Sequence, residues 1–237
     1  MESKEKIKPE KTYGGKNAEE SVCQIRSLMR DLIICGHGIH SAEMAIIVER
    51  INAIKKTWNL LGFISNAGVL NDETIHGRKN IGTKENIIDY PGAWFVPSNE
   101  FKGIELLPRD RTACLIDPSC FIAGEVKMGK GCVLYPQGFV GQGTHIGDFV
   151  FALPAAIINH DCRIGNRTIF ASQVCLAGYV SIGEECYMGQ SSTVKQFVKI
   201  GSYSTIGMGS VVLKDVDSES VMAGNPASLL KKEKHSR

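Results

Sequence analysis

The sequence predicts a small α/β unit followed by an all-β parallel solenoid. Three observations carry that expectation. Between Asp31 and Asn66 runs a strand, glycine turn, helix, strand pattern of the length of one βαβ unit. From Ile116 to Val212 every sixth residue is large and apolar in sixteen of seventeen places, Ala152 being the exception. Four places after each stands a small or β-branched residue, among them Cys120, Cys132, Cys162 and Cys186. Neither an amphipathic helix nor an alternating strand has a period of six.

The elements follow in order. Residues 1–28 interleave Lys and Glu around Gly14-Gly15 and read as a mobile leader passing into a helix. Residues 29–111 form the α/β unit: Asp31–Cys35 is a strand and Gly36-His37-Gly38 a turn. Ala42, Met44, Ala45, Ile47, Val48 and Ile51 have helical spacing, and Trp58–Ile64 is a second strand. Asn71–Glu85 reads as a loop with one poorly defined element and Ala93–Val96 as a strand. In residues 112–237 each hexad supplies one short strand with its aliphatic side chain inward, and three hexads close one triangular coil. A Gly or Ala often follows the aliphatic, as at Ala123, Gly129, Gly141 and Gly165, where a Cβ would crowd a tight turn. Ser228–Lys232 is expected to form a short helix capping the open end.

Composition excludes several classes of function. Twenty-seven basic against 25 acidic residues leave a net charge of +2, too little excess to grip a nucleic-acid backbone. No run reaches the roughly 18 apolar residues of a membrane span, and MESKEKIKPEK has charges where a signal peptide is apolar. The expected location is the cytoplasm. Eight cysteines form no CxxC pair and no zinc spacing, and six histidines include no close pair within the solenoid, so no metal is expected.

The hexads, together with Asn159-His160-Asp161, Leu176-Ala177-Gly178, Val211–Val216 and Gly224-Asn225-Pro226-Ala227, resemble the hexapeptide-repeat acyltransferases. Within these the match is to the sialic-acid O-acetyltransferase and nucleotide-amino-sugar N-acetyltransferase branch. The resemblance spans residues 30–230. It implies a left-handed β-helix, a Rossmann-like amino-terminal domain, acetyl-CoA as co-substrate, a sugar or sugar-nucleotide acceptor and a homotrimer with sites between subunits. The chain departs from the family's pattern at Ile39, where a further Gly is usual, and at Ser65-Asn66, where acidic residues usually meet a nucleotide.

Acyl transfer needs an acceptor proton removed, an oxyanion stabilised and a long donor held. His160 is the best-placed base, two places after an inward aliphatic, and Asp161 can orient its ring. Gly178, three hexads on, should lie directly above His160, where a thioester can approach the backbone and its N–H can meet the oxyanion. By family correspondence Gln190 and Met208 line the pantetheine groove and Gly224, Asn225 and Pro226 close it near the adenine. Lys214 either meets a coenzyme phosphate or is merely solvated. On the acceptor side stand Gly36, His37, Gly38, His40 and Asn159, with His40 either touching substrate or packing the turn. Two alternatives remain open at this point: a non-catalytic trimeric scaffold that binds through the α/β unit, and an acyltransferase for a non-sugar acceptor.

Overall fold

The computed structural model describes residues 29–66, 74–75 and 77–232. The expected leader, His76 and His235 lie outside the described residues. In the amino-terminal unit β1 (Arg30–Cys35), α1 (Ile39–Ile54), β2 (Trp58–Ser65), β3 (Thr74–Ile75), β4 (Arg78–Thr83) and β5 (Trp94–Pro97) follow in chain order. Their sheet has the order β3-β4-β2-β1-β5, parallel except for the β3–β4 hairpin. Where a loop with one weak element was expected, β3 and β4 pair, and β4 extends the sheet beyond β2. Its pattern Arg78-Lys79-Asn80-Ile81-Gly82-Thr83 hides Asn80 and Gly82 rather than aliphatics, so no hydrophobic alternation marks it. The residues of β1 alternate between two cores. Leu32 and Ile34 meet α1, while Ile33 and Cys35 pack with Phe95, Phe101 and Leu107.

Seventeen two-residue strands, from β6 (Leu115–Ile116) to β22 (Val211–Val212), then build a prism with three walls. Each strand pairs in parallel with its counterpart three strands on, so Ile158 lies beside Val140 and Leu176. The second residue of each strand faces inward, and Val140, Ile158, Leu176 and Val194 form one column of the core. We call the walls first (Leu115, Val133, Phe151, Ile169 outward), second (Phe121, Phe139, Ile157, Cys175) and third (Lys127, His145, Arg163, Ser181).

The corners follow a rule that the inward aliphatics do not reveal. Every sixth residue from Gly131 to Gly209 has positive φ, including Phe149 (59°), Asp161 (57°), Arg167 (55°), Tyr179 (61°) and Phe197 (68°). These lie three places after the aliphatic. The expected turn glycines, one place after it, have ordinary φ, and their missing Cβ instead lets the coils stack: at Gly141 a Cβ would stand 2.6 Å from the His160 backbone nitrogen. Small polar residues four places after the aliphatic bond to the next coil, as Thr144 Oγ1 does when it donates to the Asn159 carbonyl at 2.7 Å. Cys162 and Cys186 reach the corresponding carbonyls of Ala177 and Gly201 at 3.3 and 3.2 Å.

The expected carboxy-terminal helix is not formed. Ser228–Lys232 is a strand, β24, running antiparallel to β23 (Ser220–Ala223), which itself continues the first wall. So short a segment cannot sustain a helix, whereas the open wall offers a row of backbone partners. The end is therefore capped by a hairpin.

The α/β unit sits on the first wall. Met44, Ile47, Val48 and Phe63 share a core with Leu115, Val133, Tyr135 and Phe151. Tyr135 Oη donates to the His40 carbonyl at 3.0 Å, and Arg50 grips Asp117 through Nε–Oδ2 (2.6 Å) and Nη2–Oδ1 (3.1 Å). Asp117 is 1% exposed. Burial alone would push its carboxyl up, but hydrogen bonds from Arg50 and Ser119 outweigh that and hold it below the usual carboxylate range. The native state thus binds this proton less readily than the unfolded chain, so the contribution is present above the unfolded pKa of about 3.9 and is lost as pH falls through the folded value. Asp117→Asn should lower stability at pH 7 by about 1–3 kcal/mol and flatten the acid limb of the pH–stability curve. Urea unfolding at pH 7 and at a series of values below 5 checks both.

Candidate active site

His160 and Asp161 stand at the corner between the second and third walls. Asp161 has left-handed backbone, so its carboxylate turns back to the preceding residue, and His160 Nδ1 lies 2.9 Å from Asp161 Oδ2. Gly143, one coil below, leaves room for that carboxylate, because a Cβ there would stand 2.5 Å from Asp161 Oδ1. Gly178, one coil above, leaves room for the ring. A Cβ there would lie 2.5 Å from His160 Cε1 and 2.6 Å from Nε2. The stacking predicted for His160 and Gly178 is what the structure contains. The imidazole is about half exposed, its edge set at 89° to the Tyr179 ring with centroids 5.2 Å apart, and Tyr179 stacks on Phe197 at 5.0 Å.

The other candidates divide between places. Lys214 lies two coils above Gly178 at the same corner, after the strand Val211–Val212. Gln190 and Met208 are stacked, as the Gly209 N–H to Gln190 carbonyl bond shows (2.8 Å), but they occupy the corner between the first and second walls. Gly224, Asn225 and Pro226 follow β23 at that same corner. The second wall separates the two groups, so one chain by itself does not bring the candidate donor-groove residues together with His160. The reason lies in the spacing: His160, Gly178 and Lys214 are separated by whole coils, whereas Gln190 is two hexads beyond Gly178 and so falls on another corner.

Nor does one chain gather the acceptor-side candidates. Asn159 is at the His160 corner, and its Nδ2 donates to the Leu176 carbonyl at 2.7 Å, which fastens one coil to the next. Gly36, His37, Gly38 and His40 lie over the first wall. Gly36 has φ 136°, and a Cβ there would collide with the Ser98 and Ser41 hydroxyls. Both hydroxyls and His37 Nδ1 are buried without a hydrogen-bond partner. The Glu100 carboxylate packs against Gly38. His40 Nδ1 is 3.3 Å from Glu43 Oε2, and its ring meets Tyr135 and Phe151 edge-on.

Beside this turn the structure adds residues that the sequence reading missed. A cavity of 430 Å³ is lined by Phe101, Lys102, Ile104, Arg109, Phe149 and Arg167. A smaller one shares Ile104, Phe149 and Arg167 with it and adds Ser98, Asn99 and Phe151. Asn66 closes its loop, accepting from Lys102 N–H at 2.6 Å and donating to the Glu100 carbonyl at 3.0 Å. Phe149 and Arg167 are one coil apart at the corner between the third and first walls, as Tyr179 and Phe197 are at the His160 corner. Reading the corner columns with the coil period would have singled out both pairs. Among the described residues no cluster of three or more His, Cys, Asp and Glu could hold a metal, and no helix is long and apolar enough to cross a membrane.

No protein-family model matches the chain. An acyl-[acyl-carrier-protein]–UDP-N-acetylglucosamine O-acyltransferase of Sinorhizobium fredii is 32% identical over 204 residues, which cover 84% of this chain and 72% of that protein. The chain belongs to the hexapeptide-repeat acyltransferases. A GDP-perosamine N-acetyltransferase of Escherichia coli O157:H7 is 34% identical over 79 residues, but these are only 33% of the acyltransferase described here and 36% of that relative. The fold is shared with the acetyltransferase domain of PglB from Neisseria gonorrhoeae, solved with acetyl coenzyme A. The TM-score is 0.72 at 23% identity, covering 85% of this acyltransferase and 99% of that chain. It is shared too with PerB from Caulobacter crescentus, solved with CoA and GDP-perosamine, at TM-score 0.73 and 22% identity, covering 85% and 97%.

Gly178 has no positive φ, so a methyl group there acts on the His160 ring and not on the backbone. Gly178→Ala should therefore lower turnover about 100-fold with the circular dichroism spectrum unchanged and Tm within a few degrees of wild type. Steady-state kinetics and a thermal melt on the same sample check it.

Proposed function

We propose that this acyltransferase moves an acetyl group from acetyl-CoA to a hydroxyl or amine of a sugar, either a sialic acid or a nucleotide-linked amino sugar, with His160 as general base. The observation that carries the proposal is the setting of His160: Nδ1 is engaged by Asp161, and the rest of the ring lies against a glycine whose missing side chain leaves space. Acetyl-CoA supplies an activated acyl carbon and a thiolate leaving group. As the acceptor oxygen or nitrogen bonds to that carbon, its proton passes to His160 Nε2. The Gly178 N–H stabilises the carbonyl oxygen as it gains charge, and the imidazolium returns the proton to the departing sulfur. Asp161 holds the ring and balances its charge.

In this reading residues 29–111 are a Rossmann-like substrate-binding unit and residues 112–237 a left-handed catalytic prism, acting in the cytoplasm. By the family correspondence the acceptor is held on this unit at the Gly36–His40 turn, and its reacting group meets His160 at the other corner only through assembly. The nucleotide-linked class is favoured by the relatives, whose names give UDP-N-acetylglucosamine and GDP-perosamine as what they act on. Ser65 and Asn66 are spent on structure: Ser65 is buried, and Asn66 pins the loop that lines the cavity.

Three copies assemble with closed symmetry, the His160 corner of one beside the Gln190–Met208 corner of the next. That arrangement makes one donor groove from two corners that a single chain keeps apart. Lys214, Gly224, Asn225 and Pro226 then meet the nucleotide end of the coenzyme from opposite sides.

Thiol release from acetyl-CoA, measured against sialic acids, free amino sugars and nucleotide-linked amino sugars, tests the reaction. Release should occur with a nucleotide-linked amino sugar, and His160→Ala should reduce it by roughly 10²- to 10⁴-fold with coenzyme affinity nearly unchanged. Full activity in His160→Ala would remove His160 from the mechanism. Assembly has its own test: His160→Ala and Met208→Glu proteins, each inactive alone, should regain activity when refolded together as mixed trimers. No recovery in mixed trimers confirmed by mass would mean that the two corners do not share a site.

A further inference from the structure

We propose that Cys114 and Cys132 are a peroxide-sensitive dithiol, closing to a disulfide that staples the first coil of the prism to the second. The pairing follows from the coil period. Cys114 and Cys132 are one coil apart, and the Leu115 N–H donates to the Cys132 carbonyl at 2.8 Å, so the two residues lie in register on stacked strands. Strands in that relation stand about 4.8 Å apart. A disulfide spans Cα separations of roughly 4.4–6.8 Å. Both sulfurs also reach the Gly129 carbonyl, Cys114 Sγ at 3.1 Å and Cys132 Sγ at 3.7 Å.

No other pair among the described cysteines has this relation. One coil from Cys120 is Gly138, from Cys162 are Thr144 and Val180, from Cys175 are Ile157 and Thr193, and from Cys186 are Thr168 and Ser204. The roles within the pair are unequal. A hydrogen bond from the Cys132 thiol lowers the Cys114 thiol to about 7 against the opposing effect of burial. The same bond, with burial, pushes Cys132 well up. Cys120, Cys162, Cys175 and Cys186 are all raised, chiefly by burial. Cys114 is only partly buried, whereas Cys132 is fully enclosed. Cys114 is therefore the attacking thiolate and Cys132 the resolving thiol.

The oxidant is a hydroperoxide. Cys114 thiolate attacks one peroxide oxygen, the O–O bond breaks, and Cys114 becomes a sulfenic acid as hydroxide leaves. Cys132 sulfur then attacks the Cys114 sulfur, the S–O bond breaks, and the Cys132 proton leaves with the oxygen as water. The sum is two thiols and one hydrogen peroxide giving one disulfide and two waters, and a dithiol reductant reverses it. The bond would act at the joint between the two units. Ala113, next to Cys114, donates to the Phe95 carbonyl at the end of the α/β sheet, and Gly131, next to Cys132, lines the smaller cavity.

Peptide mapping of the full-length protein tests the proposal. At pH 7 iodoacetamide should modify Cys114 at least about tenfold faster than Cys120 or Cys175. After hydrogen peroxide, a non-reduced digest should contain a Cys114–Cys132 linked peptide that dithiothreitol releases. Cys132→Ser should instead leave a Cys114 sulfenic acid that dimedone captures. Linkage of Cys114 to a different cysteine, or Cys114 reacting no faster than Cys175 with no linked peptide in the wild-type protein, would overturn it. The wild-type mapping decides the matter even if the variant does not fold.

Discussion

The in-register stacking of one coil on the next positions every group in the prism. Each coil donates and accepts through backbone bonds to its neighbours in the stack, as Gly141 N–H does to the Ile158 carbonyl at 2.8 Å and Asn159 N–H to that of Leu176 at 3.3 Å. As far as Val212 a side chain's height and corner are therefore fixed by its number; beyond it the corner is two residues shorter and Val216 lies beside Ile200. His160 meets Gly178, Asp161 meets Gly143 and Tyr179 meets Phe197 because each pair is separated by one whole coil. The same ladder explains why Cys114 and Cys132 touch although neither belongs to the transfer chemistry. A shift of one residue would exchange inward and outward side chains along the strand and expose the Val140–Ile158–Leu176 column.

Much of the prism was legible from the sequence because only one side of each short strand can enter a closed apolar interior. The constraint is strong, and the aliphatic repeat records it directly. The corners were legible only in part. Their third residue has left-handed backbone, yet glycine fills it at Gly131, Gly143 and Gly209 while Phe, Tyr, Arg and Asp fill other turns. Coil-to-coil bonding imposes that conformation on side chains that would not choose it, so composition does not mark the position. The α/β unit was legible through β1, α1 and β2, whose apolar runs face a core on both sides of the sheet. β4 was not, since it lies near the edge and buries Asn80 in place of an aliphatic. The closing hairpin was missed for a related reason: the backbone edge that recruits Ser228–Lys232 belongs to the fold and not to that short segment.

The site shows the same division. The contact of His160 with Gly178 was legible because a solenoid turns sequence separation into spatial contact. The cavity was missed because it lies between two units, and its walls come from a loop around Phe101–Arg109 and from corner residues Phe149 and Arg167. No single repeat contains it. The placement depends on how α1 seats against the first wall, where Arg50 and Asp117, far apart in sequence, fix the contact. A reading that treats the α/β unit and the prism as separate objects cannot reach that cavity, however well it reads each one.

Exposure sets the remaining physical demand on the chemistry. His160 and Asp161 are 51% and 44% exposed in the isolated chain. In that setting water screens their attraction, worth about 1 kcal/mol at 4 Å in bulk water and about 4 kcal/mol where the effective dielectric falls to near 20. An imidazolium formed during proton transfer gains from Asp161 chiefly when water is displaced from the corner. The exposed rings of Tyr179 and Phe197 stand beside it with large apolar faces still in contact with solvent. A surface brought against this corner would cover those rings, desolvate the His–Asp pair and strengthen it in a single step. The base proposed for this acyltransferase is thus already oriented on an open edge, and covering that edge is what would make it effective.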